Sequence, residues 1–214
     1  NLEHIKSPKV FLEGPAGAGK TTAAVQQLLR LLKNGAPGGS ILVLVPQRTL
    51  AAPYELALRR SRLRAGGLPS IQTAGGLARR MMELFWPLAA GPAGFADRDR
   101  PPTFLTLETA QYHMARLVRP LLDDGAFESI TVDRNRLYSQ IIDNLNKAAV
   151  VGFPHEEIGR RLSAAWLGEP AQLRVYGDAQ RCASLFRAHC LAHNLLDFSL
   201  QVEVFWRHLW PLPI

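Results

Sequence analysis

The chain has 214 residues, 47% hydrophobic and 20% charged, ordinary for a soluble globular protein and long enough for one large domain or two small ones. No run approaches the ~18 consecutive apolar residues of a membrane span, and no basic segment followed by an apolar one opens the chain. A membrane or secreted protein is therefore not expected, and a cytoplasmic one is.

Lys and Arg number 25 against 18 Asp and Glu, giving a net charge of +7. The excess is mostly Arg, since the only lysines are Lys6, Lys9, Lys20, Lys33 and Lys147. A phosphate-rich partner such as nucleic acid would gain from such a surface through counterion release. The competing explanation is a bias toward Arg, Ala, Leu, Gly and Pro with no binding role. The start at Asn1 and the end at Ile214 suggest a piece of a longer protein.

Lys9 to Glu13 contains the apolar core Val10-Phe11-Leu12 and reads as a strand. GPAGAGKT follows, Gly14 to Thr21, matching G-x-x-x-x-G-K-[ST] with no mismatch. Thr22 to Lys33 then places Ala24, Leu28, Leu31 and Leu32 on one helical face. Small residues at Gly14, Ala16, Gly17, Ala18 and Gly19 let the backbone wrap a polyphosphate with its N–H groups inward. The helix start near Gly19 aims its positive end at the same phosphates. Lys20 would reach the β- and γ-phosphates, and the Thr21 hydroxyl would ligate Mg²⁺. The expected ATP site is thus Gly14, Pro15, Ala16, Gly17, Ala18, Gly19, Lys20, Thr21 and Thr22, with Lys20 and Thr21 as catalytic residues.

Asn34 to Ser40 (NGAPGGS) is a helix stop and turn. Ile41 to Val45 is a continuous apolar run, expected as a strand buried on both faces. Strand, loop, helix and strand make a βαβ unit, so a parallel sheet with a right-handed crossover is predicted. A helix is expected over Leu50 to Arg64, a short strand over Ser70 to Thr73, and a helix from Leu77 to about Trp86. Pro87 to Pro102 is rich in Pro, Gly and Ala, carries the DRDR run Asp97 to Arg100, and reads as a linker or exposed loop.

Beyond it the pattern is helical: Leu107 to Leu122, Asp133 to Val151, Glu156 to Trp166, Ala171 to His193 and Asp197 to Trp210. Cys182 and Cys190 lie about 12 Å apart by helical rise, too far for a disulfide. His189 and His193 have helical i, i+4 spacing but lack the intervening Glu of a zincin, so a partly exposed helix in a reducing cytoplasm is the plainer reading. The fold class is α/β, a phosphate-loop NTPase with a partial, RecA-like parallel sheet, followed by an all-α part. The division expected is residues 1–86 for the α/β part, 87–103 for the linker, 104–194 for the helical part and 195–214 for a return segment.

These motifs resemble the N-terminal part of superfamily 1A DNA helicases, the UvrD/Rep/PcrA-like group, together with the helicase–nuclease RecB and AddAB-type subunits. GPAGAGKT matches that family's first motif. ILVLVPQRTLAA (Ile41 to Ala52) stands in the place of motif Ia, which contacts single-stranded DNA in the family. TAGGLARR (Thr73 to Arg80) sits where the family has Thr-Phe-His-x-Leu-Ala, and HNLLDFSLQVEVF (His193 to Phe205) is similar to its Leu-Asp-Phe-x-x-Leu segment. The resemblance implies an ATP- and Mg²⁺-dependent DNA helicase, with the helical stretch as its 1B subdomain. It also implies single-stranded DNA as partner, a nuclease subunit as a further one, and Gln47, Arg48, Thr49 and Thr73 as nucleic-acid contacts.

The chain departs from the family at named places. Asn1 to Pro8 holds no adenine-reading Gln, Gln47 stands where motif Ia has a stacking aromatic, and Ala74-Gly75 replaces Phe-His. No apolar strand ends in the Asp-Glu pair of a Walker B motif. Leu121 to Asp124 ends a helix, and Gly177-Asp178-Ala179-Gln180 mimics the family's Gly-Asp-x-x-Gln motif but precedes the Leu-Asp-Phe element in a helical context. Two other readings stand beside the helicase. One is a degenerate helicase-like scaffold that binds ATP without unwinding, and the other is a small-molecule kinase sharing the phosphate loop.

Overall fold

A computed structural model of the chain describes residues 9–61, 67–168 and 170–212. The segment without an adenine-reading Gln, residues 1–8, and the last residues of the helix expected to reach Arg64 lie outside those described. The chain forms two compact units, Asn1–Leu77 and Ala78–Ile214.

In the first unit, helix α1 (Lys20–Lys33) buries Leu28 and packs on helix α2 (Ala52–Arg60). It stops where Gly35 turns left-handed at φ 91°, letting Gly35 and Ala36 N–H donate back to the Leu32 and Leu31 carbonyls. Strands β1 (Leu42–Leu44) and β2 (Ser70–Gln72) run parallel, with Leu42 opposite Ser70 and Leu44 opposite Gln72. Bonds from Ser70 N–H to Ile41 and from Val45 N–H to Gln72 extend the ladder at each end. A 3₁₀ turn, Arg48–Ala51, precedes α2, so the helix expected from Leu50 starts in tighter geometry.

Two expectations fail here for one reason. Residues 9–15 form no strand, and the Phe11 side chain is 88% exposed. β1 is not buried on both faces, because Leu42 and Leu44 are 45% and 51% exposed. An extended segment becomes a strand only when neighbours complete its ladder, and a sheet is dry only when its faces are covered. The sheet containing β1 has two strands among the described residues, so neither condition is met.

Helix α3 (Ala74–Ala90) starts on Thr73, whose hydroxyl accepts from Gly76 N–H at 3.0 Å, and continues into the second unit. It runs past Pro87 at the cost of non-helical geometry at Phe85 (φ −122°, ψ 24°), since a proline inside a helix clashes with the preceding turn. Residues from the expected linker are packed: Ala89, Ala90 and Phe95 are buried, and the Phe95 ring meets Trp86 edge-on at 4.7 Å. The DRDR loop is held by Asn194, itself left-handed at φ 52°, whose amide nitrogen donates to the Asp97 and Arg100 carbonyls. Beyond it, strand β3 (Thr103–Phe104) pairs in parallel with strand β4 (Leu195–Leu196), a contact not foreseen from the sequence.

The helices of the second unit follow the apolar periodicity. Helix α4 (Leu107–Asp123) opens with a reciprocal Thr106/Thr109 capping box, and helix α5 (Arg134–Val151) opens on Asp133 and stops at left-handed Gly152. Helices α6 (Ile158–Ala165) and α7 (Arg174–Ala192) each follow a 3₁₀ turn. Helix α8 (Phe198–Val204) passes into a π-helical turn, Phe205–Leu209. Met82, Met114, Ile141, Leu145, Phe186 and Leu196 form the driest part of the core. No helix of the described residues is long and apolar enough to cross a membrane. The described chain is thus mostly helical with small parallel sheets, consistent with α/β.

Candidate nucleotide-binding site

Gly14 to Gly19 form an exposed loop that turns at Ala16-Gly17 and delivers the chain into α1 at Lys20. Gly17 and Gly19 have φ of 78° and 82°, a region that a side chain makes costly, so the glycines at these motif positions are required by the backbone itself. At Gly14 a Cβ would stand 3.2 Å from the Ala18 Cβ, a tight contact that a shift of a few tenths of an ångström would have to relieve.

The start of α1 is shaped to receive an anion. Its N-cap, Gly19, has no side chain to accept from the first-turn N–H groups, and the first turn holds no acidic residue. Those N–H groups and the positive end of the helix dipole face solvent at Lys20, Thr21 and Thr22, all exposed. The Lys20 ammonium folds over the loop, donating to the Gly14 carbonyl at 2.6 Å and the Pro15 carbonyl at 2.7 Å. It can exchange those neutral acceptors for charged phosphate oxygens, which bind an ammonium more strongly. Ala16 and Ala18 add no polar side chain to this cradle. The residues therefore fit a polyphosphate. For Mg²⁺ they offer the Thr21 hydroxyl, and no cluster of three His, Cys, Asp or Glu suited to a metal exists among the described residues.

The expected nucleic-acid residues divide into two groups at one sheet edge. Gln47, Arg48 and Thr49 are exposed just after β1, and Thr73 follows β2. Because the strands are parallel, both groups lie beyond the carboxyl ends, where open α/β sheets bind ligands. The Thr73 oxygen is already engaged as the α3 cap, which leaves its hydroxyl proton for a phosphate.

The two lookalike motifs are structural. Asp123 ends α4 and pairs with Arg134 at 3.3 Å. Asp178 accepts from the N–H of Phe127, a left-handed residue at φ 65°, at 3.0 Å. Gln180 accepts from Gly159 N–H at 2.8 Å and donates to the His155 carbonyl at 3.0 Å, tying α7 to the start of α6. In the Leu-Asp-Phe segment, Asp197 caps α8 through Ser199 and Leu200 N–H and faces the buried Arg187 at 3.5 Å. Arg187 also pairs with Glu203 at 3.0 Å and donates to the Ser199 hydroxyl at 3.2 Å. The sequence signal for this network was Asp197, with nothing marking Arg187 as its partner.

A family model described as DEAD/DEAH box helicase matches residues 2–77, ending where the first compact unit ends. No curated protein matches the chain. The family match supports a helicase-like, ATP-binding role for the phosphate-loop unit and a RecA-like fold for it, which is coarser than the superfamily 1A resemblance.

Proposed function

We propose that the chain is the nucleotide-binding portion of an ATP-dependent DNA helicase or translocase of the UvrD/Rep type. The observation that carries the reading is the uncapped start of α1, with two left-handed glycines before it and the Lys20 ammonium lying over the loop. Gly17 and Gly19 would present backbone N–H groups to the β-phosphate, with the Ala18 N–H joining them on leaving the Pro15 carbonyl, and Lys20 would neutralise the β- and γ-oxygens. Thr21 would hold Mg²⁺ through its hydroxyl, and Thr22 would extend the N–H cradle. ATP supplies the phosphoryl group whose hydrolysis releases free energy for movement along a strand. The residues that activate water for that step are not among those described, so this chain by itself should bind nucleotide and turn it over poorly. Arg48, Thr49 and Thr73, with Gln47, would hold the phosphates of single-stranded DNA.

The scaffold reading draws on one feature of this edge. Gln47 stands where a base would otherwise stack on an aromatic, and stacking is a large share of single-strand affinity. The deciding experiment measures binding of a fluorescent ATP analogue to the chain, and DNA-stimulated ATP hydrolysis in the longest polypeptide that carries it, each beside Lys20→Ala. Stimulated hydrolysis lost in Lys20→Ala supports the motor. ATP binding without stimulation replaces it with the scaffold, and no binding in the unaltered protein overturns both.

A further inference from the structure

The second unit carries a histidine cluster to which neither the phosphate loop nor the DNA edge gives a role. His113 on α4 and His189 on α7 turn their rings to each other, and His113 Nδ1 and His189 Nε2 share a hydrogen bond of 3.1 Å. His193, one turn further on, lays its ring 4.3 Å from that of His189 and turns its Nδ1 to the His189 carbonyl at 2.9 Å. The rings of His113 and His189 are only partly buried, so an ion can reach them from solvent.

We propose that His113 Nδ1 and His189 Nε2 form a two-nitrogen site for a divalent ion of the Ni²⁺, Cu²⁺ and Zn²⁺ group, bridging α4 and α7. The two nitrogens share a hydrogen bond, so a bound ion would take the place of its proton, which moves to the other nitrogen of the donor ring. Metal–nitrogen bonds of about 2.0–2.1 Å to nitrogens 3.1 Å apart close at roughly 95–102°, between the square and tetrahedral values. Imidazole suits these ions, and the order of divalent affinities favours Cu²⁺. Only the neutral ring binds such an ion. No three His, Cys, Asp or Glu side chains of the described residues gather as a cage, so water would complete the coordination.

Arg116 is the charged side chain acting on both rings of the pair. Arg116, over the Tyr112 ring at 5.9 Å, repels a bound cation and sets the site's affinity from outside the coordination sphere. A bound ion would bridge two helices in the folded state and raise its stability by mass action.

The test is a Cu²⁺ titration of the metal-stripped chain at neutral pH, followed by electron paramagnetic resonance and thermal melting. One saturable ion, a two-nitrogen coupling pattern and a raised melting temperature are expected. His113→Ala and His189→Ala should each abolish all three, His193→Ala should keep them, and Arg116→Gln should tighten binding severalfold. Circular dichroism of each variant without metal separates loss of the site from loss of the fold, and Arg116→Gln tests the site with both ligands in place. Saturable binding that survives in folded His113→Ala would assign the ion elsewhere, and binding that never saturates would make it adventitious only; either overturns the proposal.

Discussion

At Gly38 a Cβ would lie 2.1 Å from the Gly67 carbonyl oxygen, a backbone atom that cannot swing aside. Gly38→Ala should therefore destabilise the first unit by about 1–3 kcal/mol, read by urea unfolding. In the second unit, Asp197 is 2% exposed, caps α8 and faces Arg187. Asp197→Ala removes the cap and leaves a buried guanidinium short of a counter-charge, a loss of about 3–5 kcal/mol in the same measurement. The two positions differ in how far the sequence announced them. Asp-Phe-Ser after an apolar pair already read as part of a known element. Gly38 was one glycine in a turn, because the residue that makes it necessary lies far along the chain.

Helices were legible because their apolar residues recur at the spacing that puts them on one face, and that face found a partner. The Leu137, Ile141, Leu145 and Ala148 stripe of α5 is buried throughout. Their ends were less legible, since a 3₁₀ turn and an α-helix share residue preferences. The short strands escaped for the opposite reason. Thr103–Phe104 and Leu195–Leu196 are strands only because each finds the other, and two residues carry no periodicity. Gln180 shows what tertiary placement adds to an element. Its amide satisfies Gly159 N–H and the His155 carbonyl while also bonding Ser184, at 3.1 Å. Gln180→Ala leaves those partly buried groups unpaired and should cost about 1–3 kcal/mol, with faster hydrogen exchange at the Gly159 amide as the local readout.

Over the whole molecule, the two thiols report on the integrity of the second unit. Cys182 and Cys190 are fully buried, and burial pushes the Cys182 thiol up to about 12 and the Cys190 thiol higher still. A disulfide reagent at neutral pH should react with the folded chain only as fast as the unit opens, and rapidly with both thiols in urea. The helix that carries them is partly exposed as expected, with Arg181, Leu185 and Ala188 on its outer face, while both thiols lie on its buried one. Acid should act through histidine. Burial, and next the charge of Arg187, holds His155 below its ordinary value of 6.5. His113, His189 and His208 are shifted the same way, chiefly by burial. The unfolded chain therefore binds these protons first, so their contribution is complete above 6.5 and is lost as pH falls below it. Melting temperature should drop between pH 7 and pH 5, and His155→Gln should flatten that slope if it folds as the unaltered chain does.

The sequence by itself determined the glycine-rich loop and the helix behind it, because glycine geometry and a helix start act within eight consecutive residues, Gly14 to Thr21. It likewise determined the amphipathic helices, whose pattern is local. Only the tertiary structure decided that Val10-Phe11-Leu12 is no strand, that Leu42 and Leu44 stand half in solvent, and that His113 meets His189 across 76 positions. Each of these depends on what lies opposite, and a local pattern specifies a face without specifying the surface that covers it.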